Sequence, residues 1–367
     1  MERNTGILKM LDRFIGSPLL VLIGALRKKR NLPTEINAIG IFAFAAIGDS
    51  ILSSGMLPAL SKRFPGAKTI IFCSKANAAI YPLIEGFDQL VILPITSPLK
   101  TLKVIRQHPL DIVVDTSQWF RLGAIYAWLA KSRWSVGFST PGQGRHYAYD
   151  ERVAHSNQVH ELENFQRLLI PLGCEPLEVL ALRKDLKNTA ELKFIQPGDS
   201  YVVFHPWASG TNSAMREWPE RSWIELAHQL LAKGLKVVIS GSEADQIRAY
   251  HLRNQIGLGD DVTVVAGKLS LKELANILLH AKACISVNTG IAHLSSALGV
   301  LTIALNGPTN SGRWGVLSER STNLDVPKGD GGAFLNLGFE YPRGATYVMG
   351  NIAVRKVLQV LQGFQVI

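Results

Sequence analysis

The sequence predicts an α/β protein made of two doubly wound domains, each built on a parallel sheet covered by helices. Short β-branched runs alternate with helix-period segments from residue 37 onward; the alternation stops over 173–199 and then restarts. Each run is apolar throughout, which is typical of strands buried on both faces of a parallel sheet. The length of 367 residues also suits two domains of about 150 residues each.

The first half, placed at 37–185, holds five predicted strands. They are NAIGIFAF (37–44), KTIIFC (68–73), QLVIL (89–93), DIVVD (111–115) and WSVGF (134–138). Helix-period segments separate them, at 50–62, 97–107 and 118–130. A further helix pattern, 160–171, ends at Pro171, a residue that cannot continue a helix without breaking its hydrogen bonds.

The second half, placed at 186–345, repeats the pattern. Its predicted strands are YVVFH (201–205), LKVVIS (235–240), VTVV (262–265), KACISV (282–287) and VLTIAL (300–305). Helices are expected near 221–233, 243–255, 270–279 and 290–298. A last helix pattern lies in 346–367, and we expect it to pack back on the first domain. Because ligands bind outside the carboxyl ends of parallel strands, two facing sheets would place a site in a central cleft.

Composition narrows the class of partner. Hydrophobic residues make up 47% and charged residues 19%, with a net charge of +10, which favours an anionic partner. No basic stripe with interleaved aromatics appears, so nucleic acid is not expected. The three cysteines are far apart and the histidines form no HExxH or HxxxH pattern. We therefore expect a reducing compartment and no metal site.

An apolar segment near the N-terminus, FIGSPLLVLIGAL (14–26), follows Arg13 and precedes the basic tetrad 27–30. It is shorter than the about 20 residues that a membrane-spanning helix needs, and no small-residue cleavage site follows it. We interpret residues 1–36 as an interfacial anchor whose tetrad meets anionic headgroups. The chain would then be cytoplasmic and peripheral on the inner face of the cytoplasmic membrane. The alternative is a helix packed on the protein's own surface, with a solvated tetrad.

A polar turn ends the first strand. Gly48 permits a tight strand-to-helix turn, and Asp49 then lies at the start of the next helix. There it could act in the cleft, or it could only cap the helix by accepting a backbone N–H bond.

A second polar turn, SVNTGIAH (286–293), ends a strand and opens a helix. Thr289, the Gly290 backbone and His293 would lie at the positive end of that helix, which favours a diphosphate. The GxxxxGK[ST] and GxGxxG patterns are absent. The alternative is a capped helix with His293 satisfied locally.

Two further loops are candidates for donor contacts. Thr309 lies in a GPTN turn after the strand 300–305, at the same expected sheet edge. Arg216 follows a small polar loop, 209–213, and precedes a WP helix start. A flexible loop followed by arginine suits a phosphate or ribose, although it could equally be an exposed loop.

Taken together, these motifs resemble glycosyltransferase family 9, the lipopolysaccharide heptosyltransferases. The matching motifs are Gly48-Asp49 with LPAL (57–60), His205-Pro206, REWP (216–219), LSL (269–271), SVNTGIAHLSSALG (286–299) and GPT (307–309). They keep the family's order over about residues 37–320. The resemblance implies the GT-B arrangement of two Rossmann-like domains.

The resemblance also implies a role for each matching residue. Asp49 would be the general base that deprotonates the acceptor hydroxyl, and the first domain would bind the acceptor. The implied donor-binding residues are Arg216, Glu243, Leu269, Asn288, Thr289, Gly290, His293 and Thr309. Asn288 departs from the family's aspartate, which is expected to touch the donor sugar, and so leaves the sugar's identity open.

The implied reaction is inverting, metal-independent transfer of a sugar from a nucleotide diphosphate sugar. Heptose is the first expectation for the sugar, and ADP-heptose for the donor. The acceptor would be a hydroxyl of an anionic, lipid-linked glycan, and no cofactor is expected. Gln118, Arg121, Arg145 and His146 are candidates for acceptor binding, with surface solvation as the alternative for each. Two other functions stay open: a nucleotide-sugar 2-epimerase, and a non-catalytic membrane-associated protein that binds nucleotide sugars.

Overall fold

The computed structural model describes residues 10, 12–44, 46–177, 180–183, 186, 194–196, 198–210, 212–257, 259–327, 329–336 and 341–367. The chain divides into two compact units, residues 1–182 and 183–367. The boundary predicted from the sequence lies after residue 185. Each unit is a parallel sheet with flanking helices, which confirms the predicted fold class.

The first unit is built on six parallel strands in the order β3-β2-β1-β4-β5-β6. They are β1 (Ala38–Ala43), β2 (Lys68–Ser74), β3 (Gln89–Leu93), β4 (Ile112–Asp115), β5 (Trp134–Ser139) and β6 (Glu151–Ala154). Its helices are α1 (Gly16–Leu26), α2 (Ile47–Ser54), α3 (Met56–Arg63), α4 (Pro98–Ile105), α5 (Arg121–Leu129) and α6 (Glu161–Arg167). The apolar strands β1, β2 and β4 are almost wholly buried, as strands covered on both faces should be.

The helix α1 lies against the first unit. Leu20 and Ile23 are buried in that unit's hydrophobic core, while large apolar side chains on the other side of the helix are exposed. The basic segment after it is not merely solvated. Arg27 and Arg30 both pair with buried Asp150, at 2.6 and 2.7 Å.

The second unit repeats the topology of the first. Its order is β12-β11-β10-β7-β8-β9, so the first strand of each unit lies beside the fourth. The strands are β7 (Tyr201–His205), β8 (Lys236–Ile239), β9 (Val262–Val264), β10 (Ala283–Val287), β11 (Thr302–Asn306) and β12 (Ser321–Asp325). The helices are α7 (Glu220–Leu231), α8 (Gln246–Ile256), α9 (Leu271–His280), α10 (Gly290–Ala297), α11 (Ser311–Trp314) and α12 (Val354–Gly363).

The C-terminal helix corrects one expectation. We expected the segment 346–367 to pack on the first domain. Instead, Val354, Val357 and Leu361 of α12 are buried in the core of the second unit, where α12 contacts α7 and β12. The apolar stripe of α12 therefore completes the second unit's own core.

Two strands, β6 and β12, are not predicted from the sequence; each forms one edge of its sheet. Both are polar and only partly buried. Edge strands cover one neighbour only, and polar residues there limit unwanted pairing. An apolar-run criterion therefore cannot find them.

Two of the three cysteines lie inside the sheets. Cys73 in β2 and Cys284 in β10 are fully buried, one in each unit. None of the helices in the described part of the chain has the length and apolar content needed to span a bilayer.

Candidate functional site

Each sheet has a switch point, where strands that lie side by side lead to connections in opposite directions. In the first unit it lies between β1 and β4, and in the second between β7 and β10. Crevices at such points, outside the carboxyl ends of the strands, are where open α/β sheets bind ligands. Polar residues that follow these four strands are therefore the first candidates for a site.

At the first switch point, Asp49 follows β1 and Gln118 follows β4. Asp49 is the third residue of α2, half-buried, and its Oδ2 accepts a hydrogen bond from the Ala46 N–H at 3.1 Å. Its Oδ1 accepts one from Gln118 Nε2 at 3.3 Å. Asp49 thus caps its helix, as the alternative interpretation required. Its second oxygen is held by Gln118, which follows the neighbouring strand β4.

The four acceptor candidates separate into different environments. Arg145 is fully buried, and its Nη2 lies 2.7 Å from Asp115 Oδ2. It also donates to the Phe120 carbonyl, so it stabilises the β4–α5 loop and is not exposed to an acceptor. Gln118 and Arg121 are also mostly buried, and Arg121 pairs with Asp12. His146 is half-buried.

At the second switch point, Asn288 and Thr289 follow β10, and α10 begins at Gly290. Thr289 Oγ1 accepts a hydrogen bond from the Ile291 N–H at 3.3 Å and so caps the helix. His293 lies in the same first turn and is mostly buried. The predicted helix start is therefore present, and its first N–H groups give it a partial positive charge.

Asn288 belongs to a chain of three asparagine side chains at the ends of neighbouring elements. Its Nδ2 donates to Asn306 Oδ1 at 2.7 Å and to the Trp314 carbonyl at 2.8 Å. Asn306 Nδ2 in turn donates to Asn323 Oδ1 at 3.2 Å. We call Asn288, Asn306 and Asn323 the asparagine chain.

Backbone groups at both ends fix the orientation of the asparagine chain. The Val316 N–H donates to Asn323 Oδ1, and Asn323 Nδ2 donates to the Val316 carbonyl, both at 3.0 Å. Because a carbonyl only accepts and an N–H only donates, Asn323 cannot be reversed. The bond to Asn323 then fixes the orientation of the Asn306 amide, and the bond to Asn306 fixes that of Asn288. Asn288 uses both its N–H groups inside the protein and keeps only Oδ1 for a ligand.

The remaining donor candidates lie in other loops of the second unit. Glu243 is exposed in a short turn and contacts Gly267, which has φ of +70°. A Cβ at Gly267 would lie 2.9 Å from Glu243 Cα, so glycine is required at this close approach. Leu269 is half-exposed beside this turn.

Two other predicted donor residues are held by their own loops. Arg216 Nη2 donates to the Ser209 carbonyl at 2.5 Å, which closes the polar loop that precedes it. Thr309 is mostly buried and pairs with Leu335 through a single β-bridge.

A buried histidine lies beside the second switch point. His205 ends β7, and its Nδ1 lies 3.0 Å from Ser240 Oγ. Burial lowers the pKa of His205 to about 4, so the ring is neutral at neutral pH. The sequence showed this histidine only as part of a motif. Its neutral state depends on the tertiary environment, to which Ser240 of a neighbouring loop belongs.

Comparisons with known proteins show which family this chain resembles. A protein-family model described as "Glycosyltransferase family 9 (heptosyltransferase)" matches residues 99–331. The chain is 36% identical over 135 residues to lipopolysaccharide heptosyltransferase 1 of Pseudomonas aeruginosa, an alignment that covers only 36% of that protein's length and 36% of this chain. It is 26% identical over 298 residues to lipopolysaccharide heptosyltransferase 3 of Escherichia coli, covering 73% of this chain and 82% of that protein.

One solved structure extends the comparison to the fold. The structure described as E. coli heptosyltransferase WaaC with ADP superposes with a TM-score of 0.71 at 19% identity, covering 89% of this chain and 99% of that one. At this identity the likeness concerns the arrangement of strands and helices.

Proposed function

We propose, because this chain belongs to glycosyltransferase family 9, that it transfers heptose from ADP-heptose to a hydroxyl group of a lipopolysaccharide acceptor. The observation that carries the proposal is the placement of polar residues at both switch points. Asp49 lies at the first, and the capped start of α10 lies at the second. The names of the relatives support heptose and lipopolysaccharide, and the ADP of the E. coli neighbour supports the nucleotide.

The second unit would bind the donor. A diphosphate at the start of α10 would accept hydrogen bonds from the first backbone N–H groups and the Thr289 hydroxyl. Asn288 directly precedes these groups, so its Oδ1 would accept a hydrogen bond from a hydroxyl of the sugar attached to the diphosphate. Glu243, exposed beside Gly267, would accept hydrogen bonds from the ribose hydroxyls, with Leu269 bordering the base.

The chemical step we propose is a single displacement with inversion. Asp49 takes the proton of the acceptor hydroxyl while that oxygen forms a bond to the anomeric carbon. The bond between this carbon and the diphosphate oxygen breaks, and ADP leaves with the electron pair. Base catalysis of this kind contributes roughly 10²–10⁴-fold to the rate.

The charge that develops on the leaving diphosphate needs a positive partner. We propose that the start of α10, His293 and Arg216 provide it without a divalent metal. A chelator would then leave the rate unchanged, and a loss of activity that Mg²⁺ or Mn²⁺ restores would contradict this part.

We further propose that α1 contacts the inner face of the cytoplasmic membrane. The large exposed side chains of α1 are all apolar: Leu19, Val21, Leu22 and Leu26. Phe14 and Ile15, just before the helix, are exposed as well. A surface helix that is apolar on its solvent side needs another apolar phase to cover it. Arg27 and Arg30 are held by Asp150, so the apolar side chains, more than the tetrad, would make the contact.

The test is product analysis with wild-type protein and Asp49→Asn. Wild-type protein should consume ADP-heptose only when a heptose-accepting lipopolysaccharide core is present, and it should release ADP. Asp49→Asn keeps the shape and can still cap α2, so donor affinity should hold while kcat falls by roughly 10²–10⁴. More than about a tenth of wild-type kcat would exclude Asp49 as the base.

The same assay separates the two other functions. Conversion of the nucleotide sugar without acceptor would indicate an epimerase. Binding without turnover across donors and acceptors would indicate a non-catalytic binding protein.

A further inference from the structure

A buried hydrogen-bond network lies behind Asp49, along the carboxyl ends of neighbouring strands of the first sheet. Its members are Asp49 after β1, Gln118 after β4, Thr140 after β5, His155 after β6 and Glu161 at the start of α6. Gln118, Thr140, His155 and Glu161 are all at most 5% exposed. Because water does not reach these polar side chains, they must form their hydrogen bonds within the protein.

The centre of the network is the Glu161 carboxylate. Gln118 Nε2 donates to Glu161 Oε1 at 2.5 Å. His155 Nε2 lies 3.0 and 3.1 Å from the two oxygens of the same carboxylate. Asn164 Nδ2 donates to Glu161 Oε2 at 3.0 Å. The Thr140 hydroxyl lies 3.2 Å from His155 Nδ1; if it donates to Nδ1, Nε2 carries the ring proton and faces the carboxylate. In that tautomer, donors from Gln118, His155 and Asn164 converge on one buried carboxylate.

The Gln118 amide is thus shared between two carboxylates, with one N–H group for Glu161 and one for Asp49. The reversed amide would place its oxygen against both carboxylates, and two acceptors repel each other. Glu161 therefore fixes which end of Gln118 faces Asp49. His155 and Asn164 hold Glu161 from behind.

We propose that Gln118 is a positioning residue for Asp49, oriented by the buried pair of Glu161 and His155. This inference rests on the proposed role of Asp49 as the general base. Gln118 donates to Oδ1 before and after proton transfer, while Oδ2 accepts from the Ala46 N–H, so the carboxylate cannot turn away from the acceptor. The negative charge of Glu161, one amide away, favours uptake of a proton by Asp49.

The test compares Gln118→Met with Thr116→Val, a matched control. Thr116 lies in the same loop, and its variant loses a buried hydrogen bond from Oγ1 to the Phe42 carbonyl at 2.9 Å, whereas Gln118→Met loses the bonds to Asp49 and Glu161. Gln118→Met should lower kcat by about 10- to 100-fold, the scale of a hydrogen bond to a charged group, with the donor Kd unchanged. Thr116→Val should keep kcat within about twofold.

The pH profile of kcat distinguishes positioning from a structural role. Gln118→Met should move the acid limb to higher pH, because loss of a donor favours the protonated carboxyl. Glu161→Gln should move it to lower pH, because a like charge is removed. Two other titratable side chains lie near α2 and Gln118, namely His155 and Tyr81. His155 contacts Glu161. Burial raises the pKa of Tyr81, so Tyr81 cannot produce an acid limb.

Three outcomes would overturn the inference: unchanged kcat in Gln118→Met, an equal loss in Thr116→Val, or a shift of the acid limb in the same direction for both network variants. If Gln118→Met does not fold, the pH profile of Glu161→Gln decides alone. A shift of its acid limb to lower pH supports the inference, and the absence of that shift overturns it. An active Asp49→Asn rejects the base itself. An inactive Asp49→Asn with a normal Gln118→Met rejects only the positioning role.

Discussion

Asn288→Asp restores the aspartate expected at this position in glycosyltransferase family 9, and this substitution should lower the stability of the protein. In Asn288→Asp, two donated hydrogen bonds are lost, and a carboxylate oxygen faces the Asn306 Oδ1 and the Trp314 carbonyl. Asn306 cannot reverse to compensate, because the Val316 backbone fixes Asn323. Each lost bond costs about 0.5–1.5 kcal/mol, and acceptors left facing each other add to that. We expect the free energy of unfolding of the second unit to fall by about 2–4 kcal/mol.

Urea denaturation of wild type, Asn288→Asp and Asn288→Ala measures this effect. Alanine removes the same donors without placing an oxygen against two others, so it should be the milder substitution although it changes more atoms. The gap between wild type and Asn288→Asp should also narrow as the pH falls towards about 4, because a protonated carboxyl regains one donor. An aspartate variant as stable as wild type, or more stable than the alanine variant, would refute the fixed orientation.

Three further predictions concern other parts of the molecule. His293→Ala should weaken binding of ADP by about 1–3 kcal/mol and of adenosine much less, which calorimetry with both ligands checks; an equal loss would indicate a role in folding. Val21→Glu with Leu22→Glu should abolish flotation with anionic liposomes while the donor Kd is unchanged, and retained flotation would exclude the α1 face. Deletion of the helix is a poorer test, since it also removes core residues. The pKa of His205 is lowered by burial to about 4, against 6.5 ordinarily, so the unfolded chain binds an extra proton between these values. Stability should therefore be complete above pH 6.5 and fall by about 3 kcal/mol as the pH drops to 4, and this fall should be absent in His205→Gln.

The sequence was sufficient for the fold because the apolar runs of both sheets are continuous. Runs such as 68–73 and 282–287 have no polar alternation, which only strands covered on both faces require. The resemblance to glycosyltransferase family 9 is confirmed by the family match over residues 99–331, which includes the motif at the second switch point. The packing of α12 was mispredicted because an amphipathic pattern shows that a helix has a partner and not which partner it has.

The candidate site was only partly predictable. Asp49 and Thr289 follow apolar runs and begin helices, a local signal that the sequence displays. The role of Arg145 depends on Asp115, thirty residues away in the chain and 2.7 Å away in space. Gln118 could not be assigned to Asp49 for the same reason. The partners of a buried polar group are set by strand order, and no spacing along the chain encodes them.

The buried thiols of Cys73 and Cys284 give each unit its own reporter of opening. Burial raises the pKa of each thiol to about 12, so neither forms a reactive thiolate while its sheet is intact. A maleimide can modify Cys73 only when β2 opens and Cys284 only when β10 opens. Mass spectrometry of the two peptides after timed labelling would therefore measure the opening free energy of each half separately, in one sample and without a second label. Addition of ADP during labelling should protect Cys284 alone if the donor site belongs to the second unit.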